Sequence, residues 1–476
     1  MPPSGPERPN YTLASLFAFI LVLMSITSLF ASVSARGMFQ DGVYYLYRIA
    51  EGQWFHLVDP ARTTLQALRQ APVVLLTRFS ELTLFERGQA FTFVLLMLPA
   101  VLCAFCWWIA PINRKGWIVF PILHLCVGIS ATSFNAVGEA GVATSYWWCL
   151  MFLLIFRARR PISQLLFLAL CVLAFRLHEG AFPLMLLLLF ACLIRLAKTE
   201  DWQNRGFLAL GILLIAGIIL YELWWVIDPR VPADRTMVLR GLETLEFIYH
   251  SGHTNLPLVT GTVALLVLAG ITLVQWLLPA PVARLRTLQL TGAFCIFSAI
   301  AAAMSVFAET TFSPDAQVLA RYHPVFVSFG LGFVMLGFQY WSFSVRIWLQ
   351  PATLLVIAVL GATQATADIA ATLRWRAYVT DLQSRLTTTS GLIRWDDTLV
   401  TGDVRKDVNW RLMSMEWVIP LVCIVFSKNG LVTTMIDPRP EMTFRPVDPN
   451  SPDRLPVLRG IDFSPYRAAV MNSRKP

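Results

Sequence analysis

The chain has 476 residues, of which 56% are hydrophobic and only 14% are charged. Soluble domains carry about a quarter charged residues, so this composition excludes an ordinary soluble protein and indicates a polytopic membrane protein. The net charge of +9 is explained by basic loops beside a membrane, and no nucleic-acid partner is predicted.

Apolar runs of about 20 residues can cross the hydrocarbon layer of a bilayer as helices. In chain order, the runs are 11–33, 89–111, 117–133, 140–156, 162–175, 179–194, 207–227, 257–279, 289–308, 323–343 and 349–369. The runs 140–156, 162–175 and 179–194 are short, so each is either a tilted span or half of a re-entrant pair. The first run exceeds the core of a signal peptide and is predicted to be retained. The sequence thus predicts an all-α membrane domain of about 11 spans over residues 1–369.

Basic residues are concentrated in alternate connections between these runs. The basic connections contain Arg114, Lys115, Arg157, Arg159, Arg160, Arg195, Lys198, Arg205, Arg284, Arg286 and Arg346. The other short connections carry only Arg176 and Arg321. By the positive-inside rule the N-terminus is cytoplasmic, and an odd number of spans places the C-terminal part outside. We interpret the features together as those of a multi-pass protein of the bacterial inner (cytoplasmic) membrane, with a periplasmic C-terminal domain.

The first outside connection, residues 34–88, is long and contains the acid Asp41 followed by Tyr44. "GVYYLYRIAEG" and "RTTLQALRQAPVVLLTRF" both place apolar residues at helical spacing. They predict two amphipathic helices lying along the membrane surface. Asp41 is either the N-cap of the first of these helices or a functional carboxylate.

Two short outside turns carry further ionisable residues. "FNAVGEAG" contains Glu139, and "FRLHEG" contains Arg176, His178 and Glu179. Charged groups at membrane depth are costly and usually face a cavity or a partner, so both carboxylates are candidates to lie near Asp41. The structural alternative is an Arg176–Glu179 pair at a helix end, or exposure to interfacial water.

A late span begins with "ARYHP", which contains Arg321, Tyr322 and His323. Arg321 either binds a lipid phosphate or extends its guanidinium to the headgroups. His56 and Asp59 in "HLVDPAR" are weak candidates to hold a divalent cation together with Asp41.

Residues 370–476 differ from the rest because their charge density rises. "VIPLVCIVF", "SKNG" and "LVTTMI" predict two strands around a turn, and "DPRPEMTFRPVDPNSPDRLP" predicts proline-punctuated coil. A small α/β C-terminal extracytoplasmic domain is expected here.

The first helix, followed by an acid early in a long outside loop with surface helices, resembles the GT-C-type integral membrane glycosyltransferases over roughly residues 1–345. The short motifs that contribute are "FQDG" around Asp41 and "ARYHP" at 320–324. The resemblance implies a GT-C-like fold in the bilayer and a hexosyl- or pentosyltransferase. Such an enzyme moves a sugar from a polyprenyl-phosphate donor to a glycan, lipid or protein acceptor during assembly of the cell envelope.

The residues fit this chemistry because transfer to a hydroxyl needs a carboxylate base and positive charge at the departing phosphate. The catalytic candidates are Asp41, Glu139 and Glu179; the substrate-binding candidates are Tyr44, Arg176, His178, Arg321, Tyr322 and His323. One alternative is an O-antigen ligase or polymerase, although those enzymes usually place their largest periplasmic loop late. Another is a transporter or non-catalytic scaffold for polysaccharide assembly, although a transporter favours pseudo-symmetry.

Overall fold

The computed structural model describes residues 11–39, 41–58, 62–129, 139–157, 160–178, 181–198, 202–227, 314–340, 349, 351–394, 418–437, 458–459 and 461–473. Within these ranges the chain is mostly helical. The helices are α1 Tyr11–Val33, α2 Asp41–Gly52, α3 Thr63–Phe79, α4 Leu84–Ile109, α5 Val119–Leu123, α6 Glu139–Phe152, α7 Pro161–Leu173, α8 Phe182–Lys198, α9 Trp202–Ile227, α10 Pro314–Tyr340, α11 Pro351–Thr388, α12 Ile419–Val425 and α13 Ser464–Ser473. The strands are β1 Gly391–Arg394 and β2 Thr434–Asp437.

In the described ranges, 5 helical stretches are long and apolar enough to cross a membrane. They are Tyr11–Val33, Leu84–Ile109, Glu139–Arg157, Asn204–Trp224 and Thr353–Thr388, and shorter apolar stretches occur at Pro161–Arg176 and Val327–Gln339. A mostly helical chain with several helices that could span a membrane is therefore confirmed. The predicted spans 257–279 and 289–308 lie outside the described residues.

The central helix of the membrane part is α6, continued by a π-helix over Leu153–Arg157. Helices α4, α8 and α10 pack around it, and every residue from Ala140 to Phe152 is buried. Small residues such as Gly141 and Ala143 allow close approach of its neighbours. Both indoles of α6 are hydrogen-bonded, since Trp147 Nε1 donates to the Leu184 carbonyl at 2.7 Å and Trp148 Nε1 donates to Ser328 Oγ at 3.3 Å.

The predicted span 117–133 is not one regular α-helix over its described part. A 3-10 turn over Ile112–Ile118 leads into α5, and a π-helix covers His124–Ile129. Pro121 lies inside α5, and proline removes a backbone donor, which disfavours a continuous α-helical ladder. A π-helical turn often marks a special site, and this one contains a buried histidine.

His124 is held by hydroxyl groups from two other helices. Its Nε2 lies 3.0 Å from Thr144 Oγ1, and its Nδ1 lies 2.9 Å from Ser328 Oγ. The Thr144 hydroxyl donates to the Ala140 carbonyl, and the Trp148 indole donates to Ser328 Oγ. These directions fit a neutral ring that donates from Nε2 and accepts at Nδ1. The sequence alone suggested no partner for His124.

The two amphipathic helices expected in the first outside connection are present as α2 and α3. The apolar residues at helical spacing in α2, Val43, Leu46, Tyr47 and Ala50, are all buried. They belong to a second hydrophobic core, to which the start of α4, the end of α11 and the C-terminal elements also contribute. Phe426 packs edge-on against Phe85 at this core.

The C-terminal elements differ from the predicted hairpin. Strand β2 pairs in parallel with β1, so that Leu392 lies opposite Met435. The run "IPLVCIV", expected as a strand, forms the buried helix α12, and that prediction was wrong. A short apolar run fits either a buried helix or a buried strand, and Pro420 is suited to a first helical turn. Helix α11 continues to Thr388, so the predicted boundary at 369/370 falls inside a helix.

Candidate functional site

A tightly packed turn places Asp41 at the start of α2. Ala35 adopts a left-handed backbone conformation with φ of 48°, and its N–H donates to the Ser32 carbonyl. The Gly37 N–H donates to Thr92 Oγ1 at 3.0 Å. A Cβ on Gly42 would lie 1.6 Å from the Gly37 carbonyl oxygen, so only glycine fits after Asp41. Asp41 is thus the first residue of α2, where a carboxylate also favours the helix dipole.

The same turn is attached to α11 through a buried arginine. Arg36 Nη1 donates to the Asp368 carbonyl at 2.8 Å and to Thr372 Oγ1 at 3.0 Å, and Arg36 Nη2 lies 3.5 Å from Asp368 Oδ1. The Trp375 indole also donates to the Ser34 carbonyl at 2.9 Å. The backbone just before Asp41 is therefore fixed by contacts more than 300 positions away in sequence.

Glu139, at the start of α6, brings α2 and α3 together. Its Oε2 lies 2.7 Å from Arg62 Nη1, and its Oε1 lies 3.4 Å from Arg69 Nη1. The Tyr45 hydroxyl donates to Oε1 across 3.5 Å. We call Asp41, Tyr45, Arg62, Arg69 and Glu139 the Arg–Glu cluster. Asp41 is included because its charge acts on both Tyr45 and Arg69.

Burial dominates the electrostatics of this cluster. It raises the pKa of Tyr45, and the negative charge of Glu139 adds to the rise, so the phenol stays protonated. Burial also lowers the pKa of Arg69, while the negative charges of Glu139 and Asp41 act in the opposite direction. Arginine remains charged even in such surroundings. The carboxylates therefore compensate a guanidinium that is out of contact with water.

Arg69 retains unused hydrogen-bonding capacity. The side chain is 3% exposed, and its Nε and Nη2 have no hydrogen-bond partner in the described part of the chain. Buried donors without partners are rare, and each costs free energy. An oxyanion that accepts from these two donors would remove that cost, so the cluster has the character of an anion site.

Two glutamines of α3 hold the loop that follows α2. Gln66 donates to the Tyr45 hydroxyl at 3.1 Å and accepts from the Val58 N–H at 3.1 Å. Gln70 accepts from the His56 N–H and donates to the His56 carbonyl, both at 2.8 Å. The phenol of Tyr45 is thereby fixed beside Glu139.

The structure gives partial information on the predicted metal candidates. His56 Nε2 lies 3.2 Å from the Tyr44 hydroxyl, and burial lowers the pKa of His56. Asp59 lies outside the described residues. Within the described ranges, no group of 3 or more His, Cys, Asp or Glu side chains is arranged to hold a metal ion. The divalent cation stays a prediction from the sequence.

The remaining predicted site residues lie at several places in the fold. Arg176 ends a 3-10 turn, Ala174–Arg176, that packs against α3, and His178 is buried just after it. Glu179 lies outside the described residues. Arg321, Tyr322 and His323 belong to α10, and their side chains are outside the described part. Of the predicted residues, Glu139 therefore pairs with Arg69, Asp41 lies within electrostatic range of the same arginine, and the Arg176 turn packs against α3.

Sequence reasoning did not find Arg62, Arg69 or Gln66. Gln66, Arg69 and Gln70 recur at helical spacing on the buried face of α3, together with apolar residues. A polar stripe on the inward face of an amphipathic helix is the signal that could have identified them.

No family model matches the chain, and no curated protein or solved structure matches it either.

Proposed function

We propose that the protein is a membrane glycosyltransferase that moves a sugar from a polyprenyl-phosphate donor to an acceptor hydroxyl. The observation that carries the proposal is the Arg–Glu cluster, in which the buried Arg69 pairs with Glu139, keeps two donors without a partner among the described residues, and lies within electrostatic range of Asp41. An acid and a phosphate-binding group are the two components that this reaction needs.

In the proposed step, the acceptor oxygen attacks the anomeric carbon while its proton passes to the Asp41 carboxylate. The bond from the anomeric carbon to the phosphate oxygen breaks, and the polyprenyl phosphate leaves with the bonding electron pair. Nε and Nη2 of Arg69 form a planar fork suited to the oxygens of this phosphate. This transfer step requires no oxidant and no co-reactant besides the donor and the acceptor.

We assign a positioning role to Glu139. Both of its carboxylate oxygens are engaged, one by Arg62 and the other by Arg69 and Tyr45. A carboxylate in two ion pairs is a poor proton acceptor, because the arginines favour its charged form. Glu139 therefore orients the two guanidinium groups, and Asp41 remains the base.

The number of membrane spans and their orientation are part of the same proposal. About 11 spans, a cytoplasmic N-terminus and a periplasmic C-terminal α/β domain follow from the positions of the basic loops. With this orientation, the start of α2 and the start of α6 face the periplasm of a bacterial cytoplasmic membrane. A long polyprenyl chain can then reach the cluster from the bilayer.

The test is sugar transfer from a panel of polyprenyl-phosphate sugars by the purified full chain. Asp41→Asn should reduce the rate by about 10²–10⁴-fold, because it removes the base and keeps the shape. Asp381→Asn is a matched control, since Asp381 is an exposed acid in an i,i+4 pair with Arg385 on α11. Transfer at the unaltered rate by a folded Asp41→Asn protein would refute the role of Asp41. The absence of transfer from every donor would count against the function itself.

A further inference from the structure

Besides Arg36 and Arg69, a third arginine, Arg87, is buried, and it lies among apolar residues. Leu84, Arg87, Phe91 and Leu95 follow one another at helical spacing on the buried face of α4. Arg87 is 1% exposed, as closely covered as Leu84 and Phe91. Its Nε and Nη1 have no hydrogen-bond partner in the described part of the chain. A charge so placed requires a counter-ion or hydrogen bonds to offset its loss of water.

In the described part of the chain, the two acids that act electrostatically on Arg87 are both engaged by other groups. Glu81 forms an ion pair with Arg459. Glu86 completes a capping box, in which its Oε2 accepts from the Thr83 N–H at 2.7 Å and from the Thr83 hydroxyl at 2.9 Å. Both acids lie within electrostatic range of Arg87, yet neither accepts a hydrogen bond from it.

Arg459 adds a second positive charge to this place. It pairs with Glu81, three residues before α4, and lies within electrostatic range of Arg87, so the two cations repel each other. Arg459 belongs to the C-terminal part of the chain, whereas Arg87 belongs to a membrane-spanning candidate helix. Two guanidinium groups within electrostatic range of each other are stabilised when one anion binds to both.

We infer that Arg87 and Arg459 form a binding site for a phosphate group at the N-terminal end of α4. The planar guanidinium presents paired donors that match phosphate oxygens. The first turn of an apolar spanning helix is also at the depth of lipid headgroups. The phosphate is that of an anionic lipid headgroup or a free phosphate ion, two sources with the same chemistry. This site shares no residue with the Arg–Glu cluster, and the inference does not depend on the proposed function.

The test uses thermal unfolding of the purified full chain in detergent. One arm adds inorganic phosphate in place of chloride at constant ionic strength, and the other adds phosphatidic acid, with phosphatidylcholine as the neutral comparison. A saturable rise of the unfolding temperature is expected in at least one arm, because a ligand that binds only the folded chain stabilises it. The arm that responds identifies the source of the phosphate.

Arg87→Met removes the charge and keeps an apolar side chain of similar length. It should abolish the rise, and without ligand it should unfold at or above the wild-type temperature, because an uncompensated buried charge has been removed. Arg376→Met, at an exposed position of α11, is the matched control and should respond as the wild type does. Arg87→Lys keeps the charge without the fork, and it should weaken binding about tenfold.

Several results would overturn the inference. One is a wild type that responds to neither phosphate nor phosphatidic acid. Another is an Arg87→Met protein that keeps the full response. If Arg87→Met does not fold, Arg87→Lys and Arg459→Gln decide the matter. An unchanged affinity in both of these variants would refute the site.

Discussion

Glu139→Gln tests whether one carboxylate compensates the two arginines of the Arg–Glu cluster. The side chain of Glu139 is 10% exposed, and those of Arg69 and Arg62 are 3% and 14% exposed. Breaking a buried ion pair by removing one partner costs about 3–5 kcal/mol, because the other charge stays buried without compensation. Arg62 is more exposed than Arg69, so its guanidinium can regain some hydration when the charge of Glu139 is removed. We therefore expect a loss near the lower limit, about 3 kcal/mol.

A second substitution separates charge compensation from simple packing. Arg69→Met in the Glu139→Gln background removes the charge that was left uncompensated. Replacing both members of a buried pair is often neutral, so the double variant should recover most of the lost stability. The expected coupling between the two positions is about 2–3 kcal/mol. Arg376→Met in the same background is the control and should recover nothing, because Arg376 is exposed on α11.

The measurement is equilibrium unfolding in mixed detergent micelles for the wild type, both single variants and the double variant. Additive losses in the double variant would refute charge compensation as the role of Glu139. A loss below about 1 kcal/mol in Glu139→Gln would have the same meaning, since that is the range of an exposed pair.

Three further outcomes are expected. Ser328→Ala leaves His124 Nδ1 without its donor, so stability should fall by about 1–3 kcal/mol in the same unfolding assay, and no loss would contradict the neutral ring assigned here. Burial lowers the pKa of His56 from its ordinary value of 6.5, so the unfolded chain takes up this proton at a higher pH than the folded chain. Stability should therefore fall as the pH drops below that value, and thermal unfolding of His56→Gln should show a weaker pH dependence; equal profiles would exclude His56 as a source. Reporters fused at Gly206 and at Arg454 should lie in the cytoplasm and in the periplasm respectively, and a cytoplasmic signal at Arg454 would change the number of spans by one.

Long periodic segments could be predicted from the sequence because their pattern depends on one helix at a time. The run 11–33 coincides with α1, and both surface helices of the first connection were located by their apolar spacing. The π-helix after α5 could not be predicted, because it depends on how His124 meets the hydroxyl groups of α6 and α10. Helix α12 was missed because a seven-residue apolar run carries no decisive period.

The candidate site, too, could be predicted from the sequence only in part. Asp41 and Glu139 were suggested by their position, since acids beside apolar runs are uncommon and costly. The arginines were not, because Arg62 and Glu139 are 77 positions apart and meet only when α3 packs near the start of α6. Ion pairs that bridge helices depend on packing that one sequence does not specify.

Helix α11 is long enough to connect the turn at Asp41 mechanically with the C-terminal elements. Its 38 residues span about 57 Å at 1.5 Å per residue, whereas the hydrocarbon layer is about 30 Å thick. The part of α11 beyond this thickness is a rigid helical extension that leads to β1. Arg36 links α11 to the backbone just before Asp41. A tilt of α11 would therefore displace the C-terminal elements and the turn at Asp41 in one movement. Insertion of a single residue between Trp375 and Thr388 would instead rotate the C-terminal elements by about 100° around the helix axis relative to α2, and it should disrupt the hydrophobic core that they share with α2.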